Sequence, residues 1–441
     1  MLDKTVTTIQ DNSQAEFDQG AYTGTSYYLG SSAVGLNLPQ TAGIYTSAIH
    51  DTGVVANWGT FSWIPNRPMN KELPDNGQSE TAYTEGNATM SGNVLLLHMN
   101  DGVSGAGETI TDTSGHNDHG ITYGNPNCTA TGKFNGSCDF PGGTNYVSMT
   151  NLDVNIAAGA SNTVEFWMYW RGGNGQMPFG WSQAYDLWFS GGCFGFNTGE
   201  SNVFGVQSTG LANRWVHVAA VFYNGVPSAG TVKLYLDGQE RTDIYACLNT
   251  TSGSRLATTT GQISGWALGA GYYFGGVIDE FAMYNRALSA SEVADHYRRG
   301  ALRLRFDARS CDDANCNGES FVGGYSEADN ADLGLPAVGL VVGNNRYFQY
   351  RATFETDDVT ISPELGSVSV EYTGSTGGEL TASSCLDLSG VLAPTYVVDI
   401  PYDPQFGSEE KTMYGVRKTP GGRIYLQACN AEYEDEITLS R

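Results

Sequence analysis

Long helical heptads are absent from this chain, and that constrains its fold more than any other feature. Apolar residues come instead in short runs such as TVEFWMYW (163–170), RWVHVAAVF (214–222) and KLYL (233–236), separated by Gly, Asn, Asp, Ser and Thr. Such runs specify strands joined by turns, and many in series specify sandwiches. TVEFWMYW and RWVHVAAVF are apolar enough to be central strands packed on both faces. KLYLDGQE reads as strand, Asp-Gly turn, strand. The one clear helix is SASEVADHYRR (289–299). Ser289 is its N-cap, Glu292 completes a capping box, and Arg298 and Arg299 suit the C-terminal end of the dipole. The expected fold class is all-β, and 441 residues suffice for two or three domains.

Lysine and arginine number 22 against 47 aspartates and glutamates, a formal charge of −25. An acidic surface repels phosphates, so nucleic acid is set aside as a partner. The charge suits high salt, divalent cations or neutral partners, or serves solubility alone. No stretch approaches the ~20 apolar residues of a membrane-spanning helix. MLDKTVTTIQDNSQ lacks the apolar core of a signal peptide, so any signal or anchor is expected to lie outside this sequence. The eight cysteines are even in number, and CDDANC (311–316) is followed by no second pair or histidine cluster of a zinc site. Disulfides made in an oxidising, extracellular compartment are expected.

Residues 1–42 are polar and rich in Gly, Ser and Asn, and read as an extended lead-in. GIYTSAIHDTG (43–53) and NWGTFSWIP (57–65) read as strands, with Trp58 and Trp63 on core faces. Residues 66–90 are loop-like. A second block then runs from NVLLLHMND (93–101) through TDTSGHNDHG (111–120), GKFNGSCDFPGGTNYV (132–147), TVEFWMYW, RWVHVAAVF and KLYLDGQE to GGVIDEFAMYNRALSASEVADHY (275–297). Each motif is weak alone. In this order they resemble the laminin G-like, concanavalin A-like jelly-roll domains of bacterial surface proteins.

ALRLRFDARSCDDANC (301–316), NNRYFQYRATFET (344–356) and SPELGSVSVEYTG (362–374) resemble the second half of a small secreted β-sandwich whose first half is GIYTSAIHDTG and NWGTFSWIP. The expected organisation is a jelly roll (67–300) inserted into a split host sandwich (43–66 and 301–374), with three domains in a row as the alternative. The segment CLDLSGVLAPTYVVDIPYDP, with GGRIYLQACNAEYEDEITLSR, resembles the C-terminal part of type IV pilin-like and pseudopilin subunits. This implies a small disulfide-stapled β region at 375–441, other pilus subunits as partners, and a bacterial cell surface or pilus as location. Sequence proximity and domain membership favour the pairs Cys128–Cys138, Cys193–Cys247, Cys311–Cys316 and Cys385–Cys429.

Asp279-Glu280 is the one pair of adjacent carboxylates inside an apolar strand. Strict alternation puts them on opposite faces, which denies them the facing geometry of a glycosidase pair. The resemblance implies calcium instead, held by side-chain oxygens of Asp112, Asn117 and Asp279. His116 and His119 have no third nitrogen or sulfur ligand at zinc spacing and read as turn residues. Sugars stack on aromatic rings, and WMYWRGGNGQMPFGWSQAYDLWFSGG (167–192) is rich in them. Trp167 and Trp188 read as core because they sit in apolar runs. Trp181 and Tyr185, in a polar stretch, are the expected sugar platforms, with Asn197 as a hydrogen-bonding partner. The functional expectation is binding of a glycan or cell-surface protein without catalysis. An accessory carbohydrate-binding part of a polysaccharide-degrading enzyme and a structural filament subunit are the alternatives.

Overall fold

The computed structural model describes residues 6–326, 338–374, 414–418 and 424–428. Four large sheets form two sandwiches. The first sandwich pairs strands from both ends of the described chain. One of its sheets runs Val338–Gly339, Ala56–Pro65, Glu364–Gly374, Ala33–Leu36, Thr25–Tyr28, with Val6–Asp11 also on Glu364–Gly374. The other runs Ala21–Thr23, Ala42–Thr46, Tyr347–Thr356, Leu302–Cys311, Val322–Tyr325, with His50–Asp51 on Tyr347–Thr356. Phe61, Trp63, Leu304, Phe306, Phe348 and Tyr350 fill the space between them. LRLRF shows why: Leu302, Leu304 and Phe306 are buried, while Arg303 and Arg305 face outward.

Residues 6–42 are not the extended lead-in read from their polarity. They supply four strands to this sandwich and bury Phe17, Val34 and Leu36 in its core. Val6–Asp11 needs few apolar residues because it lies along the sheet with only its last residue fully buried.

Between Pro65 and Leu302 the chain builds the second sandwich and returns to its starting point. Asn70 N donates to Leu302 O at 2.9 Å, so entry and exit lie side by side. Each of its sheets has nine strands. The open sheet runs Thr109–Ile110, Gly120–Tyr123, Tyr146–Thr150, Thr260–Ile263, Gln176–Trp181, Tyr185–Ser190, Cys193–Asn197, Val203–Gln207, Tyr245–Leu248. The covered sheet runs Gln239–Glu240, Lys233–Leu236, Trp215–Tyr223, Ser161–Trp170, Gly275–Tyr284, Gly136–Pro141, Asn127–Thr131, Val103–Ser104, with Asn93–Leu97 on Gly275–Tyr284. Phe166, Phe179, Trp181, Phe196, Phe222 and Phe281 pack between the sheets.

The helix Ala290–Ala301 and the irregular segment 66–92 cover the second sheet's outer face. Leu73, Ala88, Met90, Leu288 and Val293 pack there on Ala219, Ala282 and Tyr284. The capping box is formed: Glu292 N donates to Ser289 Oγ and Ser289 N to Glu292 Oε2. Arg299 does more than face the dipole. It is buried, donates to the Lys71 and Glu72 carbonyls and pairs with Glu80, pinning the irregular segment to the helix.

Disulfides join Cys128–Cys138, Cys193–Cys247 and Cys311–Cys316. Cys385 and Cys429 lie outside the described residues. In the last segment, Tyr414–Lys418 pairs antiparallel with Ile424–Ala428.

Candidate ligand-binding site

The adjacent carboxylates correct the alternation argument. Trp167 pairs with Asp279 but Glu165 pairs with Ala282, so the strand Gly275–Tyr284 carries one extra residue. Glu280 takes the left-handed conformation (φ 51°) that absorbs it. Ile278, Phe281 and Met283 consequently all point inward, and Ala282 and Tyr284 outward. Asp279 and Glu280 therefore share the outer face instead of taking opposite ones. Asp279 Oδ2 accepts from the Lys133 and Phe134 amides at 2.7 and 3.1 Å, while its buried Oδ1 has no partner. Burial, then the Glu280 charge, holds the Asp279 carboxyl well above the usual range. Glu280 receives the Leu73 amide and the His98 ring.

This layer is closed to substrate. The cavity beside Glu280, Glu165, His217 and His296 holds about 10 Å³, room for about one water at most. Glu72, His98 and Glu280 bring three donor atoms within 4.8 Å of one another. Both His98 nitrogens are already engaged, by Glu280 at 2.7 Å and Asp75 at 3.0 Å. Burial opposes the imidazolium, yet Glu280, Glu72 and Asp75 outweigh it and push the pKa up to about 10. His98 is thus itself the cation of this cluster.

The expected calcium ligands do not come together. Asp112 Oδ1 accepts from the Leu96 and Ser114 amides and Oδ2 from that of Asp118, which organises the turn. Asn117 is exposed with φ 64°. Asp279 is occupied by a different loop, 133–134. These separate backbone networks do not fit one six- to eight-oxygen calcium shell. His116 and His119 are exposed, and His119 Nδ1 accepts the Asp112 amide.

Trp167 is buried as expected, but the places of Trp188 and of the expected sugar platforms are exchanged. Trp181 and Tyr185 are fully buried in the core, with the Tyr185 hydroxyl on the Tyr223 carbonyl. Within Tyr185–Ser190, Leu187 and Phe189 also point inward, so Asp186 and Trp188 point to the outer face of the open sheet. The signal available in YDLWFS was Asp186: Trp188 shares its parity, and an aspartate does not face an aromatic core. Trp266 and Tyr272, which the sequence reading missed, arrive from the loop before Gly275–Tyr284. Trp188 meets Tyr272 edge-on, with ring centres 5.6 Å apart, and Trp266 meets Tyr272 likewise at 6.3 Å.

These rings, with Met177, Asn197, Gly199 and Ser201, line a pocket of about 100 Å³. Tyr272 is 45% exposed, whereas Trp188 is 8% exposed with an Nε1 that has no partner among the described residues. Beneath, Asn197 Nδ2 donates to Asp186 Oδ2 at 3.0 Å, and Asn197 Oδ1 accepts from Gly199 N. Gly180 makes room for that carboxylate; a Cβ there would lie 2.0 Å from Asp186 Oδ1. Of the three expected ligand residues, Asn197 alone lines the pocket. The arrangement offers apolar ring surfaces, an unspent indole N–H, an amide and a hydroxyl, which is what a polyhydroxylated ring needs.

Residues 141–294 match the Laminin_G_3 family model, described as the concanavalin A-like lectin/glucanases superfamily. No curated protein matches the chain. Among solved structures, the botulinum neurotoxin serotype D binding domain is 14% identical, with 49% of this chain and 57% of that one covered and a TM-score of 0.35. The serotype D ligand-binding domain in complex with N-acetylneuraminic acid is 14% identical, with 49% and 56% covered and a TM-score of 0.34. Domain 4 of AbnA, a GH43 extracellular arabinanase from Geobacillus stearothermophilus, in complex with arabinotriose, is 17% identical, with 46% and 98% covered and a TM-score of 0.31. The matched region thus spans less than two thirds of the neurotoxin domains' length. The family match over residues 141–294 lies within the second sandwich, and its two packed nine-stranded sheets have the architecture of a concanavalin A-like jelly roll.

Proposed function

We propose that this protein is an extracellular binding protein that holds a saccharide in the Trp188–Trp266–Tyr272 pocket without chemical turnover. One observation carries the reading: Trp188 points away from the core and keeps a buried, unpartnered N–H beside an open aromatic pocket. A buried donor costs free energy unless something accepts from it, and a sugar hydroxyl supplies that acceptor while its C–H face covers the rings. The family description for residues 141–294, which names lectins and glucanases, supports a saccharide as ligand. The three disulfides support an extracellular location. The pilin-like resemblance of the C-terminal segment favours a role at a cell surface or pilus, where the jelly roll would be an adhesin-like head and other pilus subunits would be partners.

A glycan array probed with the full chain tests this, with Trp188→Phe and Tyr272→Ala beside it. Trp188→Phe keeps one aromatic ring but removes the N–H together with the pyrrole part of the indole, so it should weaken binding by at least the ~2- to 13-fold that a ~0.5–1.5 kcal/mol hydrogen bond alone represents. Tyr272→Ala should weaken it at least as much. An array with no binder, or binders indifferent to both changes, defeats the reading. Release of shortened saccharides on incubation would defeat its non-catalytic part.

A further inference from the structure

A much larger cavity lies where the two sandwiches meet. It encloses about 720 Å³ between the helix side of the jelly roll and the edge of the first sandwich. That volume is within the ~300–1,000 Å³ typical of sites that enclose a multi-ring ligand. The jelly roll contributes Trp167, Trp215 and Tyr297, and the first sandwich contributes Thr41, Arg303 and Asp357.

Two features make it more than a seam. The first is its charge arrangement. Three cations and three carboxylates line it, already matched: Lys133 with Asp357 at 2.6 Å, Arg214 with Asp237 at 2.8 Å, Arg303 with Glu355 at 3.2 Å. The net charge of these walls is zero, in a chain whose total is −25. Neither an anion nor a cation is drawn in, but every pair still has spare acceptors and N–H donors for hydroxyl groups. The Lys133–Asp357 pair spans the two sandwiches, and the same Lys133 nitrogen lies 4.6 Å from the centre of the Trp167 ring.

The second is a set of aromatic groups with unspent donors. The Trp167 and Trp215 indole N–H groups and the Tyr297 hydroxyl make no hydrogen bond among the described residues. Trp215 is partly buried, lines the cavity and meets Tyr169 in a T-shaped contact at 6.0 Å. Trp167 and Tyr297 are almost wholly buried against each other, at 5.7 Å, so the wall is rigid.

We propose that this cleft is a second saccharide-binding site, taking a short neutral oligosaccharide with one unit stacked on Trp215. Its hydroxyls would bridge the matched arginine–carboxylate pairs. It shares no residue with the open-sheet pocket and does not depend on that pocket binding anything. It also requires both sandwiches, because Arg303, Glu355 and Asp357 come from outside the jelly roll.

The test is saturation-transfer NMR on the full chain with cellotetraose, maltotetraose, xylotetraose and chitotetraose, followed by titration of any that responds. At least one should bind, and its affinity should fall about tenfold or more in Trp215→Ala. Tyr297→Phe, which removes only a hydroxyl, should weaken it less, and Trp188→Phe and Tyr272→Ala should leave it unchanged. Unchanged melting of each variant shows that folding is retained. If no tetrasaccharide binds, or if binding is lost in Tyr272→Ala and kept in Trp215→Ala, the cleft is a solvent-filled seam and the proposal fails. Failure of the open-sheet pocket alone would instead show on the glycan array, as binding indifferent to Trp188→Phe and Tyr272→Ala, with the Trp215 effect on the tetrasaccharide intact.

Discussion

Asp186 beneath the open-sheet pocket should make this protein less stable as pH rises through neutrality, and Asp186→Asn should remove the effect. The carboxyl is fully buried, has one hydrogen bond from Asn197, and has an Oδ1 without a partner. Burial pushes its pKa from 3.8 up to about 8, against smaller opposing effects of the Asn197 bond and the Arg255 charge. A carboxyl whose pKa rises on folding holds its proton more tightly in the native chain. Below pH ~4 both states are protonated and nothing is lost. Between ~4 and ~8 the unfolded chain ionises while the native chain does not, so native stability falls by about 1.36 kcal/mol per pH unit. From pH 5 to pH 8 that amounts to about 3–4 kcal/mol, an upper figure because any water reaching Oδ1 reduces it. Asparagine keeps the acceptor for Asn197 and cannot ionise. Urea unfolding followed by tryptophan fluorescence at pH 5, 6.5 and 8 should show the variant gaining on the parent across the series. The other titrating groups cancel in that difference. Parallel pH profiles for the two proteins would refute the reasoning, since they would mean that Asp186 is ionised in the folded chain at little cost.

Two other outcomes follow from the same geometry. Deleting residues 68–298 and joining the ends with a short Gly/Ser linker should leave a folded first sandwich, because entry and exit are hydrogen-bonded side by side; loss of the β-sheet circular-dichroism signal and of cooperative melting would favour three domains in a row. Melting in millimolar calcium and in chelator should coincide, because Asp112, Asn117 and Asp279 belong to separate networks; a calcium-dependent rise in Tm that Asp112→Asn abolishes would restore the ion.

Local chemistry was legible wherever a few neighbouring residues settle it. Ser289 and Glu292 are three apart, and a capping box needs nothing more. The alternation of LRLRF, the all-β class and the proximity of Cys128 to Cys138 belong to the same kind of short-range information. Which face of a strand meets the core is not of that kind. In YDLWFS the polar Asp186 marks the parity of Trp188 as the outward one, but the apolar run around it masks that signal, and the partner sheet fixes the choice, where Phe222 packs edge-on against Tyr185 at 4.8 Å. The extra residue at Glu280 is likewise invisible locally. It exists because Gly275–Tyr284 must match Ser161–Trp170 on one side and Asn93–Leu97 on another, and one unpaired residue reverses every side chain beyond it. Residues 6–42 escaped for a related reason: strands whose apolar contacts are few carry little hydrophobic signal. The cleft goes furthest in this direction, since Thr41, Lys133, Trp215, Tyr297 and Asp357 share no pattern in the chain. Periodicity and caps arise from contacts within a few residues, so the sequence by itself determined them. Sheet phase, the bulge and both pockets arise from contacts between distant segments, and only the tertiary structure decided them.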